Sequence, residues 1–249
     1  MPATPAWPPS SLPRLFVDQP LSEGLSLVLD GPPANYLAAV LRLGAGARVK
    51  LFDDLSGEWV AEIAEAAKKR VTLTVFQRLR EREQVPDLWL LFAPIKRGRI
   101  DWIVEKATEL GIARLVPVIT QRTIVDRVNA ERLRAHAIEA AEQCERTALP
   151  EVAEPEKLDR LLASWPPERT LYFADEAGGE RFAPPPGPAA ILIGPEGGFT
   201  DAERGRIRGH PQARPISLGP RILRADTAAL AAISLWMGAA GDWDARAIR

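Results

Sequence analysis

Two short segments near the C-terminus constrain this chain most. One runs from Ile191 to Thr200 around Gly194, Pro195, Glu196, Gly197 and Gly198; the other runs from Leu218 to Ala228 through Gly219, Pro220, Arg221, Ile222, Leu223 and Arg224. Each reads as a buried strand that enters a Gly/Pro-rich turn and then a helix. Two such units close in sequence place two sets of exposed backbone N–H and C=O groups at the C-terminal ends of strands, where open α/β sheets bind small ligands. Neither is a common nucleotide loop. Gly194 to Gly198 lacks the Gly-Lys-Ser/Thr ending of a P-loop and the G-x-G-x-x-G spacing of a dinucleotide fold. A rigid proline turn carrying Glu196 suits a cationic or neutral ligand better than a triphosphate.

The rest of the chain divides by pattern. From about Arg14 to Arg80, short apolar runs alternate with turn signals: Leu15–Val17, Leu25–Leu29, Arg48–Phe52, Glu58–Ile63 and Arg70–Phe76 read as strands, with a turn at Asp53–Gly57. Asn35–Leu43 is the one helical stretch there. A charged segment from Arg78 to Pro86 follows. Beyond it, strands at Leu88–Ala93, Leu115–Ile119, Leu171–Ala174, Ala189–Ile193 and Pro215–Leu218 alternate with helices. The helices are one through Ile100, Ile103, Val104, Ala107 and Leu110 that stops at Gly111, then Ala130–Ala148, Thr200–Arg208 and Asp226–Ala240. Thr200 and Glu203 form a capping-box pair. Alternating strands and helices imply a mostly parallel sheet. The expected organisation is a loose tail over 1–13, a small β-rich module over 14–82 and an α/β domain over 87–249.

Composition sets limits. The formal net charge of -1 gives no global pull towards nucleic acid or membrane, so any polyanion contact must come from local patches such as Lys96–Arg99, Arg204–Arg206 and Arg221 with Arg224. The single cysteine, Cys144, excludes an intramolecular disulfide and suits a reducing cytoplasm. It is expected to be an inert packed thiol. The tail has no basic and apolar regions of a signal peptide, and Thr227–Ala240 is too short to span a bilayer. His136 and His210 lack partners at ligand spacing, so no metal is expected.

Taken in order, several segments carry a resemblance: Arg14–Val17, Tyr36–Leu43, Lys96–Gly111, Glu139–Gln143 with Arg146, Gly194–Thr200, and Leu218–Ala228. The chain resembles the RsmE family of ribosomal RNA methyltransferases, of the SPOUT superfamily. That resemblance implies a PUA-like RNA-binding β-barrel followed by an α/β domain whose parallel sheet, with helices on both faces, carries a trefoil knot. It implies a homodimer that uses S-adenosylmethionine, without metal, to methylate N3 of one uridine in 16S rRNA, within an assembled 30S particle. The donor would lie against Ile193, Gly194, Pro195, Glu196, Gly197, Gly198, Leu218, Gly219, Ile222, Leu223, Thr227 and Ala228. This chain has Asp226 where the family commonly has Glu, and Asn35–Tyr36 where many members carry His.

Methylation at N3 requires removal of a weakly acidic proton and stabilisation of charge on O2 and O4. Asp226 is the candidate proton acceptor, with helix capping as its alternative. Arg224 is the candidate to orient that carboxylate or stabilise charge, with a structural ion pair as its alternative. Arg14, Arg42, Lys96, Arg97, Arg99 and Arg221 are candidate RNA contacts, as is the helical cluster Glu142, Gln143 and Arg146. Lys96–Arg99 equally suits a solvated charge run. Two other functions stay open at this point: a SPOUT enzyme acting on another RNA nucleotide, and a non-catalytic ribosome-assembly factor.

Overall fold

The structure, a computed structural model, describes residues 12–67, 69–125 and 127–244, so residues 1–11 of the expected tail lie outside the described residues. By its contacts the chain forms two units. One comprises residues up to Gln84 with Ala141–Ala148, the other Val85–Ala140 with residues from Leu149 onward.

In the first unit, strands β1 (Arg14–Phe16), β2 (Ser26–Asp30), β3 (Arg48–Asp53), β4 (Gly57–Ala67) and β5 (Arg70–Arg80) form one curled sheet in the order β1-β3-β4-β5-β2. Only β1 and β3 pair in parallel. Alternation decides which face is inside. Val71, Leu73 and Val75 are buried while Thr72 and Thr74 between them are not, and they join Val49, Leu51, Ala61 and Ile63 in one core. Each fully buried side chain of this size contributes roughly 1.5–3 kcal/mol. The expected helix over Asn35–Leu43 takes a different form. Pro32 and Pro33 start helix α1 (Gly31–Asn35) early, a single π turn over Tyr36–Val40 follows, and Arg42 ends it at φ 54°.

The outer side of β3 explains why Ala141–Ala148 belongs to this unit. Arg14 is buried, its ring-facing guanidinium 3.6 Å above Phe52. Its Nε donates to Glu58 Oε1 at 2.5 Å, its Nη1 to the Ala141 carbonyl at 2.6 Å, and its Nη2 to the Arg146 carbonyl at 2.5 Å. Arg80 reaches Glu58 Oε2 at 3.1 Å, and Lys50 pairs with Glu145 at 3.1 Å. Burial alone would raise the Glu58 carboxyl. The hydrogen bonds and charges of Arg14 and Arg80 outweigh it and hold Glu58 below the ordinary carboxylate value. Arg14 is therefore not an RNA contact in this structure: its donors are spent on Glu58 and on two carbonyls. Arg146 is also buried, 3.6 Å from Glu83, and lies past the end of the helix that carries Glu142 and Gln143, which corrects its expected place in one helical polar cluster with them.

The second unit contains β6 (Leu88–Phe92), α2 (Arg97–Glu109), β7 (Arg114–Ile119), α3 (Ala130–Cys144), β8 (Glu151–Val152), β9 (Glu156–Lys157), α4 (Leu158–Ala163), β10 (Thr170–Ala174), β11 (Glu180–Arg181), β12 (Ala189–Ile193), α5 (Asp201–Gly209), β13 (Ala213–Ser217) and α6 (Ala225–Ala240). The last turn of α3, from Ala141, groups with the first unit. The helix stops at Cys144 instead of Ala148 because Glu145 turns left-handed at φ 64°. All pairings in the main sheet are parallel, in the order β11-β13-β10-β12-β6-β7-β8.

Strand alternation again sorts the core. Leu88, Leu90, Phe92, Ile191 and Ile193 face α2 and α6, whose Ile103, Val104, Ala228, Ala229 and Ala232 lie in the same cluster. Leu91, Ala190, Leu192, Leu171 and Phe173 face the opposite cluster with Leu158 and Leu161 of α4 and Ile207 of α5. Apolar residues on both faces of the strands are what a parallel sheet covered by helices on both sides requires. The small residues of α6 let it pack closely on α2. No described helix is long and apolar enough to cross a membrane.

Candidate functional site

The cleft of this second unit, about 770 Å³, opens at the C-terminal ends of β10, β12 and β13 and beside the start of α6. Its first wall is the turn after β12. Gly198 donates its N–H to the Pro195 carbonyl at 2.8 Å and sits at φ 66°. Phe199 packs under Gly194, where any Cβ would lie 3.0 Å from the ring. Thr200 then caps α5: its hydroxyl accepts from Glu203 N at 3.3 Å, and Glu203 Oε2 accepts from Thr200 N at 3.0 Å. The other oxygen of buried Glu203 accepts from Gln121 N at 2.7 Å, and Arg122 Nη1 donates to the Gly197 carbonyl at 2.6 Å. The loop after β7 thus clamps the turn from outside. Sequence reading missed Gln121 and Arg122, because nothing local marks a bond across so many residues.

Replacing Gly198 tests how rigid this turn is. A Cβ there would stand 2.5 Å from Glu176 Oε1 in a left-handed conformation. Glu176 can swing aside, but only by leaving Arg204, 2.7 Å away. Gly198→Ala is expected to cost about 1–2 kcal/mol in urea unfolding; an unchanged midpoint would mean that the turn relaxes freely.

The second wall is the turn after β13, from Leu218 to Arg224. Arg224 is the N-cap of α6 and its side chain makes no cap hydrogen bond. Asp226 therefore lies inside the first helical turn, not at the cap. Its carboxylate is 17% exposed; Oδ1 accepts from Thr227 N at 2.8 Å, and Oδ2 lies 3.4 Å from Arg99 Nη1. The same Arg99 nitrogen is 3.4 Å from Glu196 Oε1. A third wall, also missed from sequence, follows β10. Buried Asp175 pairs with Arg204 at 3.4 Å and Arg208 at 2.7 Å, fixing the strand end against α5.

The charge balance is uneven. Glu196 and Asp226 share Arg99, and Asp175 and Glu176 are met by Arg204. Lys96, Arg221 and Arg224 also line the cleft, and no ion pair is formed by them among the described residues. The result is a floor of backbone polar groups under a cationic rim, an arrangement suited to a small polar ligand next to a polyanion.

The sequence matches the family described as RNA methyltransferase domain over residues 81–237, and RNA methyltransferase PUA domain over residues 29–76. The first match alone spans well over half of the chain. The chain belongs to this RNA methyltransferase family. Among its relatives, the ribosomal RNA small subunit methyltransferase E of Rickettsia conorii is 30% identical over 229 residues, 89% of this chain and 93% of the relative. A ribosomal RNA small subunit methyltransferase E from Neisseria gonorrhoeae, solved bound to S-adenosyl methionine, is 27% identical, covers 93% of this chain and 99% of its own, and has a TM-score of 0.84. A protein from Legionella pneumophila, solved with bound SAM, is 31% identical with a TM-score of 0.86, over 93% of this chain and 99% of its own.

In this RNA methyltransferase the expected donor residues Ile193, Gly194, Pro195, Glu196, Gly198, Leu218, Gly219, Ile222, Leu223 and Ala228 do line one cleft. Gly197 touches Arg122 behind it and Thr227 is exposed. Ile222 is 95% exposed at the edge of the cleft. Among the expected RNA contacts, Lys96, Arg99 and Arg221 lie at the same cleft, and Arg42 is exposed in the first unit. The side chain of Arg97 lies outside the described residues. Gln143 is exposed, whereas Glu142 accepts from the Phe16 N–H at 2.9 Å and is partly used within its unit.

Proposed function

We propose that this protein transfers the methyl group of S-adenosylmethionine to N3 of a specific uridine in 16S rRNA, acting as a cytoplasmic homodimer on the small ribosomal particle. The observation that carries the reading is the convergence of the two glycine-bearing turns on one cleft, in a chain whose relatives with bound S-adenosylmethionine align over 93% of its length. The cradle fits such a donor: at Gly219, which lines the cleft, an added Cβ would meet nothing within 4 Å, so the backbone there is open to a ligand. The knotted threading implied by the resemblance belongs to the same reading.

Bound S-adenosylmethionine supplies an electrophilic methyl on a sulfonium, so no metal is needed. The chain does the rest. Asp226, mostly buried in the first turn of α6, accepts the N3 proton. Lys96 and Arg224 at the rim stabilise the charge that develops on O2 and O4. Ile193, Glu196, Leu218 and Leu223 would hold this donor, which would supply its methyl group to N3 and keep the former carbon–sulfur electron pair on sulfur. Lys96, Arg221 and the PUA unit hold the RNA through its phosphates, which position without specifying sequence.

Unmodified small-subunit particles incubated with the protein and isotopically labelled S-adenosylmethionine test this directly, by digestion and mass spectrometry of the rRNA. Labelled 3-methyluridine at one site is the expected result. A label on another base, or at another atom of uridine, would overturn the assigned chemistry. Calorimetric donor binding with no label in any RNA would favour a non-catalytic assembly role.

A further inference from the structure

We propose that Arg99 is the residue that positions the Asp226 carboxylate for proton removal, and that it couples this to the state of the turn that holds the donor. The inference rests on the reading of Asp226 as the proton acceptor. Sequence pointed to Arg224 for this task, but Arg224 is the N-cap of α6, exposed, and without an ion pair among the described residues. Arg99 instead reaches across from the start of α2, a different element from either turn, and places one nitrogen between Asp226 and Glu196.

The distances say how that nitrogen is used. Both contacts are 3.4 Å. A charge-assisted N–H···O hydrogen bond closes to roughly 2.7–2.9 Å. Arg99 Nη1 therefore sits between two carboxylates and makes a long hydrogen bond to each. A shift of well under 1 Å towards either one would shorten that bond at the expense of the other. Glu196 belongs to the turn after β12 and Asp226 to the helix that begins after the other turn, so the guanidinium senses both walls of the cleft. An ammonium or hydroxyl group of the donor that engages Glu196 would release Arg99 to Asp226. The carboxylate would then be held in one direction only when the donor is in place. Arg99 is one-third exposed and Asp226 less so, which keeps the pair close enough to the protein interior for the coupling to matter.

The test is a double-mutant cycle read by single-turnover methyl transfer at saturating donor and particle. Arg99→Ala should slow transfer about a hundredfold, the cost of a misplaced catalytic group. Arg99→Lys should restore most of the rate, because only one nitrogen is used and an ammonium can occupy its place. In an Asp226→Asn background, Arg99→Ala should cost no more than about twofold, the usual error of additivity. If the two losses multiply instead, Arg99 acts on RNA or donor and the proposal fails, while the reading of Asp226 stands. If Asp226→Asn alone leaves the rate intact, both fail together, and that outcome is distinct. A merely structural role would lower the thermal midpoint of Arg99→Ala without the non-additivity, and would equally overturn the proposal.

Discussion

Asp226→Asn is expected to lower the rate of methyl transfer by about 10²–10⁴-fold, the range for loss of a positioned acid–base group. Stability should change by at most about 1 kcal/mol, the value of a carboxylate near a helix N-terminus. The substitution separates two roles that the sequence left joined. Asparagine keeps an oxygen that can accept from Thr227 N, now bonded to Asp226 Oδ1 at 2.8 Å. It keeps the side-chain volume as well. What it loses is basicity and the charge facing Arg99. A purely structural role, the bond to Thr227 N, would therefore survive the change, and a proton-acceptor role would not. Single-turnover kinetics with labelled donor, alongside urea unfolding, give both numbers. A rate within about threefold of the parent would exclude Asp226 as the acceptor and leave water or the RNA itself.

Glu58→Gln should destabilise the first unit by about 3–5 kcal/mol at neutral pH, as expected when one partner of a buried ion pair is removed. Glu58 and Arg14 side chains are each 5% exposed, and Arg14 would keep its charge with only neutral groups to meet it: the amide oxygen of the new side chain, two backbone carbonyls and the Phe52 ring. The pH dependence has a fixed sign. The folded carboxyl is held below its ordinary value, so the unfolded chain binds the proton more readily. The contribution of Glu58 is complete above the unfolded carboxyl value of about 4.3 and is lost as pH falls through the folded one. Urea unfolding followed by the fluorescence of Trp59 should show a gap between parent and variant that narrows below about pH 4. Arg14→Met combined with Glu58→Leu should recover much of the loss, since an apolar pair of similar volume avoids the desolvation cost. A gap under about 1 kcal/mol at pH 7 would mean that water reaches the pair.

What was readable in the sequence was local, and what was missed was not. Thr200 and Glu203 announce the start of α5 because both halves of the capping box lie three residues apart. The second oxygen of Glu203 could not be placed, since its partner, Gln121, is 82 residues away. The strand and helix pattern from Leu88 to Ala240 was readable because apolar residues recur with the period of each element. The end of α3 was not, because apolar Ala148 continues the pattern while Glu145 adopts a left-handed backbone that no side-chain periodicity reports. Arg14 shows the same limit: a basic residue beside Leu15 and Phe16 looks like a surface contact until its partners, 44 to 132 residues distant, are in view. The two turns of the cleft were found by their glycines. Arg99 looks in sequence only like an RNA contact, because its distance to Asp226 exists only once β6, β12 and α6 are assembled.

The order of strands in the main sheet has a consequence for the making of the protein. β6 is the first strand of its unit to be synthesised, and it ends near the middle of the sheet, between β7 and β12. Its neighbour β7 follows soon after. β12 does not leave the ribosome until roughly a hundred residues later, which at 5–20 residues per second leaves one edge of an all-apolar strand open for about 5–20 seconds. The cleft itself waits longer still, since one of its walls is the turn that leads into α6, the last helix. Translation runs from one end of the chain to the other, whereas β12 must enter this sheet between β10 and β6, and β13 between β10 and β11, all of them strands made before it, and the nascent protein carries that open edge for roughly a hundred of its 249 residues.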